Sequence, residues 1–162
     1  MRDNAGVTLL RDVSDGDLDT LFEHWTDPEA NQMAAFTAAD PSDRGAFDAR
    51  WERLRSDEAI TARTIEVDGQ VVGTISSWSN EGEREVTYWI AREHWGKGIA
   101  TQALRAFLEV EQERPLYGVA AKDNAGSIRV LEKCGFARVG EGKGFANARG
   151  EEVEELILVL RS

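Results

Sequence analysis

The feature that most constrains the fold is a junction near the middle of the chain, where an extended segment passes through a glycine-rich turn into an amphipathic helix. Residues 83–91 alternate their side chains as a strand does, with Tyr88 and Ile90 on the same side. Gly96-Lys97-Gly98 then breaks the pattern, and apolar residues recur from Ile99 to Leu108 with a helical period. A helix that follows such a turn presents free backbone N–H groups and the positive end of its dipole, so this junction is predicted to bind a phosphate.

Two well-known glycine-rich phosphate motifs do not fit this turn. A P-loop requires four residues between its glycines, followed by Lys and then Ser or Thr. The dinucleotide fingerprint requires a third small residue at the position of Thr101. The turn is therefore predicted to be an anion-binding site of a different type.

The N-terminal part of the chain is predicted to hold a strand and two helices. Residues 7–13 read as a strand, and Ser14 with Asp17 reads as the capping pair of a first helix. Residues 27–41 show no clear period, which suggests a mobile substrate loop. Ser42 is then predicted to cap a second helix that buries one apolar face.

The remaining segments alternate between strands and helices. Residues 60–67 and 70–77 are β-branched runs joined by Asp68-Gly69, which suits a type I′ hairpin. Further predicted elements are a strand at 116–121, a helix at 124–134, and strands near 136–140 and 153–160. Because no repeat or linker divides the chain, we predict one α/β domain over residues 1–162 with a mixed sheet.

Composition limits the classes of partner. The net charge of −11 argues against general binding to nucleic acid or to an anionic membrane, since both require a broad cationic surface. Residues 92–138 are the exception, because eight Lys and Arg outnumber six Asp and Glu there. One cysteine and the lack of an apolar leader at the N-terminus favour the cytoplasm.

The segment from Ile90 to Thr101 resembles the coenzyme A motif of the GNAT N-acetyltransferases. Ile90, Gly98 and Ala100 occupy the expected positions, whereas Trp95 stands where Gln or Arg is usual. That departure resembles the branch that acetylates the N-termini of ribosomal proteins at alanine or serine. The segment from Asn124 to Phe136 is similar to the second family motif, and the two motifs have the family's order and separation.

The resemblance implies acetyl-CoA as the co-substrate and a mostly antiparallel central sheet in which two strands splay apart. The turn amides would hold the pyrophosphate, and the backbone around Ile90 and the Asn124 side chain would hold the pantetheine arm. The residues assigned to the cofactor in this way are Ile90, Ala91, Arg92, Trp95, Gly96, Lys97, Gly98, Ile99, Ala100, Thr101, Asn124, Arg129 and Lys133.

Catalytic roles follow from the same resemblance. Glu85 is the predicted general base for the amine, with Glu83 as the alternative, and a main-chain N–H near Ile90 would hold the oxyanion. The tyrosine that many family members use as an acid is replaced by Leu131. Ser127, at the start of the same helix, is the predicted proton donor, with a water as the alternative.

The acceptor is left open at this stage. A peptide or ribosomal-protein α-amine, a small amine such as a polyamine, amino acid or aminoglycoside, and a non-catalytic coenzyme A sensor are the three alternatives. Trp25 and Phe36 are candidates for the acceptor pocket by position, whereas Trp51, Trp78 and Trp89 are expected to pack rather than to bind ligand. No metal site is predicted. Either a monomer or a homodimer fits the sequence.

Overall fold

The computed structural model describes residues 8–162, so Val7, which the sequence assigns to the first strand, lies outside the described residues. A seven-stranded sheet runs through the molecule with helices on both faces, which confirms the predicted α/β class. The strands are β1 (Thr8–Arg11), β2 (Thr61–Val67), β3 (Gln70–Asn80), β4 (Glu83–Ile90), β5 (Leu116–Ala121), β6 (Ala137–Ala146) and β7 (Glu151–Leu160). The helices are α1 (Leu18–Trp25), α2 (Pro28–Ala34), α3 (Arg44–Ser56), α4 (Ile99–Val110) and α5 (Ala125–Lys133), with short 3-10 turns at Asp15–Asp17 and Arg92–His94.

The sheet opens between its two central strands. Its order is β1-β2-β3-β4-β5-β7-β6, and within residues 8–162 β4 and β5 form the only parallel pair. That pairing is confined to Arg84–Val86 against Leu116–Gly118. β4 continues to Ile90 and β5 to Ala121 without pairing any further with each other, so the two strands diverge. The predicted splay is therefore confirmed.

The hairpin between β2 and β3 has the predicted turn. Asp68 and Gly69 have φ angles of 52° and 80°, and a type I′ turn requires positive values at both positions. β3 runs on to Asn80, beyond the predicted end at Ser77, because it pairs with β4 along its whole second half.

Each face of the sheet has its own apolar core. On one face α4 and α5 bury the side chains of Ile99, Phe107 and Leu131 against the central strands. On the other face α1 and α3 bury Leu21 and Phe47 in a smaller cluster, where the predicted apolar stripe of α1 packs. The open end of the β4–β5 cleft thus lies between two helical layers.

Helix α2 is not predicted by the sequence pattern, which leaves residues 27–41 without regular structure. Asp27 caps the helix by accepting from the N–H groups of Glu29 (2.9 Å) and Ala30 (3.3 Å), and Pro28 occupies its first turn. The helix has seven residues, less than two full turns, so an apolar period has no room to appear.

The N-cap of α3 also differs from the prediction. Asp43, not Ser42, accepts from the Ala46 N–H at 3.0 Å, while Ser42 bonds to the carboxylate of Asp40. Both residues are common N-caps, and the sequence alone does not decide between them.

The last two strands are longer than predicted. β6 extends to Ala146, although its glycines at 140, 142 and 144 lower strand propensity. Pairing with β7 along this length compensates for the weak propensity, since partners run from Ala137 with Val159 to Ala146 with Glu151.

Candidate active site

The glycine-rich turn forms a cradle of free backbone donors. Gln102 is the first residue of α4 whose N–H donates to a backbone carbonyl, that of Gly98 at 3.1 Å. Among the described residues, the N–H groups from Gly96 to Thr101 have no hydrogen-bond acceptor. Free N–H groups at the start of a twelve-residue helix fit the pyrophosphate of coenzyme A.

Glycine is required in this turn for its conformation and for the space that it leaves. Gly96 and Gly98 have φ angles of 78° and 77°, in the left-handed region that disfavours side chains. A Cβ added at either position would meet no atom within 4 Å. Because both glycines line a cavity, such a Cβ would project into space that a ligand can fill.

A cavity of about 450 Å³ extends from this turn along the open side of β4 to the first turn of α5. Arg129 and Lys133 bring positive charge to its wall, as a phosphate-bearing ligand requires. The predicted site residues that line it are Ile90, Trp95, Gly96, Gly98, Ile99, Ala100, Thr101, Asn124, Ser127, Arg129 and Lys133.

Three residues assigned to the cofactor do not line this cavity. Ala91 is buried, and its N–H donates to the Val72 carbonyl at 2.9 Å, which continues the ladder between β3 and β4. The Arg92 side chain turns away to the surface, where it pairs with Asp27. Lys97 lies in the turn but outside the cavity wall. The side chains of these three residues therefore do not form the wall of the cavity, although the Lys97 N–H is one of the free donors of the turn.

The open edge of β4 is accessible at its backbone. Because Ala91 bonds to β3, alternation along the antiparallel ladder directs the N–H and C=O groups of Tyr88 and Ile90 to the side where β5 has diverged. The Ile90 carbonyl is not free, since the Trp95 indole N–H donates to it at 2.9 Å. Trp95 thus fixes the turn to the end of the strand, a role that its position in the motif does not reveal.

A second cavity, of about 500 Å³, lies on the other side of β4. Seven of its 22 lining residues are aromatic, and Trp25 and Phe36 are among them as predicted. Trp51, Trp78 and Trp89 also line it, while Trp51 packs in the smaller apolar cluster and Trp89 against Trp25, as expected for packing residues. The size and the aromatic lining are typical of a site for a small molecule or a chain terminus.

Two carboxylates face this second cavity. Glu85 accepts from Asn80 Nδ2 at 2.7 Å, and Glu155, on β7, lines the cavity with its carboxylate next to Gly142 and Gly144 of β6. Burial raises the pKa of Glu155, and the charge of Glu85 raises it further. Glu83, the alternative base, lies exposed at the start of β4 and lines neither cavity. Glu155 is thus the second carboxylate at the site.

The two cavities meet at a short stretch of shared wall. The residues that line both are Ala34, Tyr88, Trp89, Asn124 and Ser127. A group bound in one cavity can therefore react with a group bound in the other at this junction.

A pair of hydroxyl groups marks the junction. The Tyr88 hydroxyl lies 2.8 Å from Ser127 Oγ and 3.2 Å from the Ser127 carbonyl oxygen, to which it can donate. Burial raises the pKa of Tyr88 to about 12, although the hydrogen bond with Ser127 opposes the shift. Leu131, at the position where many family members have tyrosine, is buried against Gly118 and lines neither cavity. Tyr88 provides a phenol at the junction instead.

Asn124 orients the start of α5 at this junction. Its Oδ1 accepts from the Ser127 N–H at 3.2 Å, which caps the helix. Its Nδ2 has no acceptor among the described residues and remains available to a ligand in either cavity.

Helix α2 closes the site from the N-terminal side. Ala30 and Met33 line the first cavity, and Ala34 lines both. The helix is tied to the turn after β4 by Asp27, which accepts from Arg92 Nε at 2.8 Å. The hydrogen bond and charge of Arg92 lower the pKa of Asp27 despite some burial, so the pair is ionised at neutral pH.

Other reactive groups lie apart from the junction. Cys134 packs against the main core, and burial raises the pKa of its thiol, which disfavours a thiolate nucleophile. Within residues 8–162 no three His, Cys, Asp or Glu side chains are grouped as metal ligands. In the same part of the chain, no helix is both long and apolar enough to span a membrane.

The acetyltransferase (GNAT) domain family matches residues 8–137, which cover the cradle, the splayed strands and the junction. The chain therefore belongs to the GNAT acetyltransferases and is an acetyl-CoA-dependent N-acetyltransferase.

Relatives within the family differ in their acceptors. The uncharacterized N-acetyltransferase p20 of Bacillus licheniformis is 24% identical over 155 residues, which cover 90% of this chain and 87% of p20. A ribosomal-protein-alanine N-acetyltransferase from Brucella melitensis superposes with a TM-score of 0.75 at 24% identity, over 95% of this chain and 99% of the other. Spermidine N-acetyltransferase from Vibrio cholerae, solved with CoA and spermine, superposes with a TM-score of 0.77 at 20% identity, over 94% and 95% of the two chains.

Sequence reasoning misses Tyr88 and Glu155 as functional residues. Tyr88 falls in an alternating strand, and its side of that strand reads as core. Glu155 lies in the acidic run Glu151–Glu155, whose members look alike before the pairing of β7 with β5 and β6 is known. The alternation of side chains along β7 could identify Glu155, but only once the register of β7 with β5 and β6 is known.

Proposed function

We propose that the chain acetylates a primary amine bound in the aromatic cavity, by direct transfer within a ternary complex. The observation that carries the proposal is the junction at Tyr88 and Ser127, where the wall of the cofactor cavity becomes the wall of the acceptor cavity. No separate nucleophile is needed when donor and acceptor meet in this way.

Bound acetyl-CoA supplies an activated thioester: the amine nitrogen bonds to its carbonyl carbon, the carbon–sulfur bond breaks, the amine loses a proton and the thiolate gains one. Glu85, in the acceptor cavity, removes the ammonium proton, directly or through a water. The Ile90 N–H, on the open edge of β4, stabilises the oxyanion. Asn124 Nδ2 holds the pantetheine arm.

The proton for the leaving thiolate comes from the hydroxyl pair at the junction. Ser127 alone is a poor acid, but its Oγ lies 2.8 Å from the phenol of Tyr88, which is a stronger acid than an aliphatic alcohol. We assign the donation to Ser127 with Tyr88 as its proton source. This pair supports catalysis over a non-catalytic coenzyme A sensor, whose only support is Leu131 in place of tyrosine.

Two acceptor classes fit the site. A peptide α-amine, such as a ribosomal protein N-terminus, is favoured by the branch resemblance of the Ile90–Thr101 motif. A small amine is favoured by the size of the acceptor cavity, about 500 Å³, which is in the range for small ligands. Solved relatives that act on a ribosomal protein and on spermidine share this fold.

The test of the mechanism replaces Glu85 by Gln. General base catalysis contributes about 100- to 10,000-fold, so turnover should fall by that order while acetyl-CoA affinity stays unchanged. Raising the pH should rescue the variant more than the wild type, because a larger fraction of the amine is then neutral in solution. Glu83→Gln is the matched control, since Glu83 shares the strand but lines neither cavity.

Glu155→Gln completes the comparison. Because Glu155 has the raised pKa, a larger loss in Glu155→Gln than in Glu85→Gln would assign the base to Glu155 and reject our assignment. Wild-type turnover in both variants would mean that no carboxylate of the cavity acts as the base.

A further inference from the structure

The acceptor cavity contains a cation besides its two carboxylates. Arg50, on α3, lines the cavity together with Glu85 and Glu155. Its guanidinium carbon lies 5.5 Å from the centre of the Trp25 ring. Among residues 8–162, no carboxylate or other acceptor pairs with it, so the charge is left without a counter-ion.

Two of the four arginines on α3 pair with carboxylates, whereas Arg50 and the exposed Arg53 have no partner among the described residues. Arg44 pairs with Asp19 at 3.0 Å and with Asp48 at 2.9 Å, and Arg55 pairs with Asp15 at 2.6 Å. The chain has 30 acidic residues, so partners are abundant. Arg50 differs from Arg53 by its half-buried place in the wall of the cavity, which it shares with two carboxylates without pairing with either.

The half-buried position of Arg50 is unfavourable without an anion. Burial and the charge of Arg53 lower the pKa of Arg50, yet a guanidinium stays protonated in proteins. Stacking on Trp25 satisfies one face of the group only, because the five N–H donors lie in its plane. A planar, bidentate acceptor such as a carboxylate is the partner that these donors fit.

The aromatic wall connects Arg50 with the junction. The Trp25 ring is close to both groups, since its centre lies 5.5 Å from the Arg50 guanidinium carbon and 5.1 Å from the centre of the Trp89 ring. Trp89 lines both cavities and neighbours Tyr88 on β4. Arg50 and the junction thus line the same cavity of about 500 Å³, a volume that holds a molecule of amino-acid or dipeptide size.

We propose that the acceptor is a primary amine that also carries a carboxylate, which Arg50 binds while the amine lies between Glu85 and the junction. This inference rests on the proposed function and names its substrate class. A free amino acid carries both groups, and so does a peptide with an acidic residue near its N-terminus. A polyamine, which has no anion to offer, leaves Arg50 unpaired.

Matched acceptors test the inference in the full-length protein. Alanine against alaninamide probes a free amino acid, and amidated Ala-Glu against amidated Ala-Gln probes a peptide, with spermidine as the acceptor without an anion. The wild type should prefer the carboxylated member of at least one pair by about 10- to 100-fold in kcat/KM. This is the factor in affinity that a hydrogen bond between charged groups contributes.

Arg50→Gln should abolish that preference by raising KM for the carboxylated member, with kcat and acetyl-CoA affinity retained. Arg53→Gln removes the same charge from an exposed position of the same helix and should keep the preference. The carboxylated acceptor should also raise the thermal midpoint of the wild type more than that of Arg50→Gln, a readout independent of turnover.

The outcomes separate this inference from the proposed function. Equal use of both members of each pair, or a preference for spermidine, would overturn the role of Arg50 while leaving the acetyltransferase mechanism intact. A preference for the carboxylated acceptor that persists in Arg50→Gln would also overturn the role of Arg50. Binding of acetyl-CoA without acetylation of any amine in the panel would reject the proposed function itself.

Discussion

Replacing Gly98 by valine tests whether the turn before α4 binds the pyrophosphate. Two effects are expected from the structure. The φ angle of 77° is strained for a β-branched residue, at a cost of about 1–3 kcal/mol in stability. The new side chain would also add bulk to the wall of the cofactor cavity, because Gly98 lines that cavity and a Cβ there would stand in open space.

The loss of binding follows from the free N–H groups. If the side chain keeps the phosphates from two of the donors between Gly96 and Thr101, about 3–6 kcal/mol is lost, since each bond to a charged group contributes about 1.5–3 kcal/mol. Affinity for coenzyme A should then fall by about 100- to 10,000-fold. Titration calorimetry measures the affinity, and chemical denaturation measures the stability of the same sample.

Gly69→Val separates the two effects. Gly69 has a φ angle of 80° and open space where a Cβ would stand, with no atom within 4 Å, but it lies in the β2–β3 hairpin and lines neither cavity. Its variant should lose similar stability and bind coenzyme A as the wild type does. If folded Gly98→Val binds coenzyme A with unchanged affinity, the cradle does not hold the phosphates and the reasoning is refuted.

Two further substitutions probe the junction. Asn124→Asp keeps the oxygen that accepts from the Ser127 N–H and caps α5, but it removes the Nδ2 donor. Calorimetry should therefore give about fivefold weaker coenzyme A binding with an unchanged thermal midpoint. A lower midpoint would show that the amide serves the fold instead. Tyr88→Phe removes the phenol beside Ser127 Oγ, and steady-state kinetics should give a kcat lower by about 100-fold with KM unchanged. A loss of fivefold or less would limit Tyr88 to positioning the serine.

The cofactor half of the site is readable from the sequence because backbone conformation carries it. Gly96 and Gly98 are required at their positions by positive φ angles, and the strand and helix beside them have clear periods. The predicted cradle therefore agrees with the free N–H groups of the structure. The side chains of Arg92 and Lys97 are less predictable, since sequence spacing gives a residue's place in a turn but not the direction of its side chain.

The acceptor half is mostly unreadable because distant segments build it. Trp25, Arg50, Glu85 and Glu155 come from four elements, and they meet only after the sheet register and helix packing are fixed. Helix α2, which forms part of the wall, is too short to give a period. Trp25 and Glu85 are candidates from position and family resemblance, whereas Arg50 and Glu155 look like surface residues in their own segments.

This difference between the two halves bears on how the enzyme's specificity is set. The cradle binds through backbone N–H groups, which remain when side chains other than those at 96 and 98 change. The acceptor cavity is lined by side chains, and its charged groups Arg50 and Glu155 are not among the apolar residues that pack α1 and α3 onto the sheet. Substitutions such as Arg50→Gln or Glu155→Gln can therefore alter the choice of amine while acetyl-CoA binding persists.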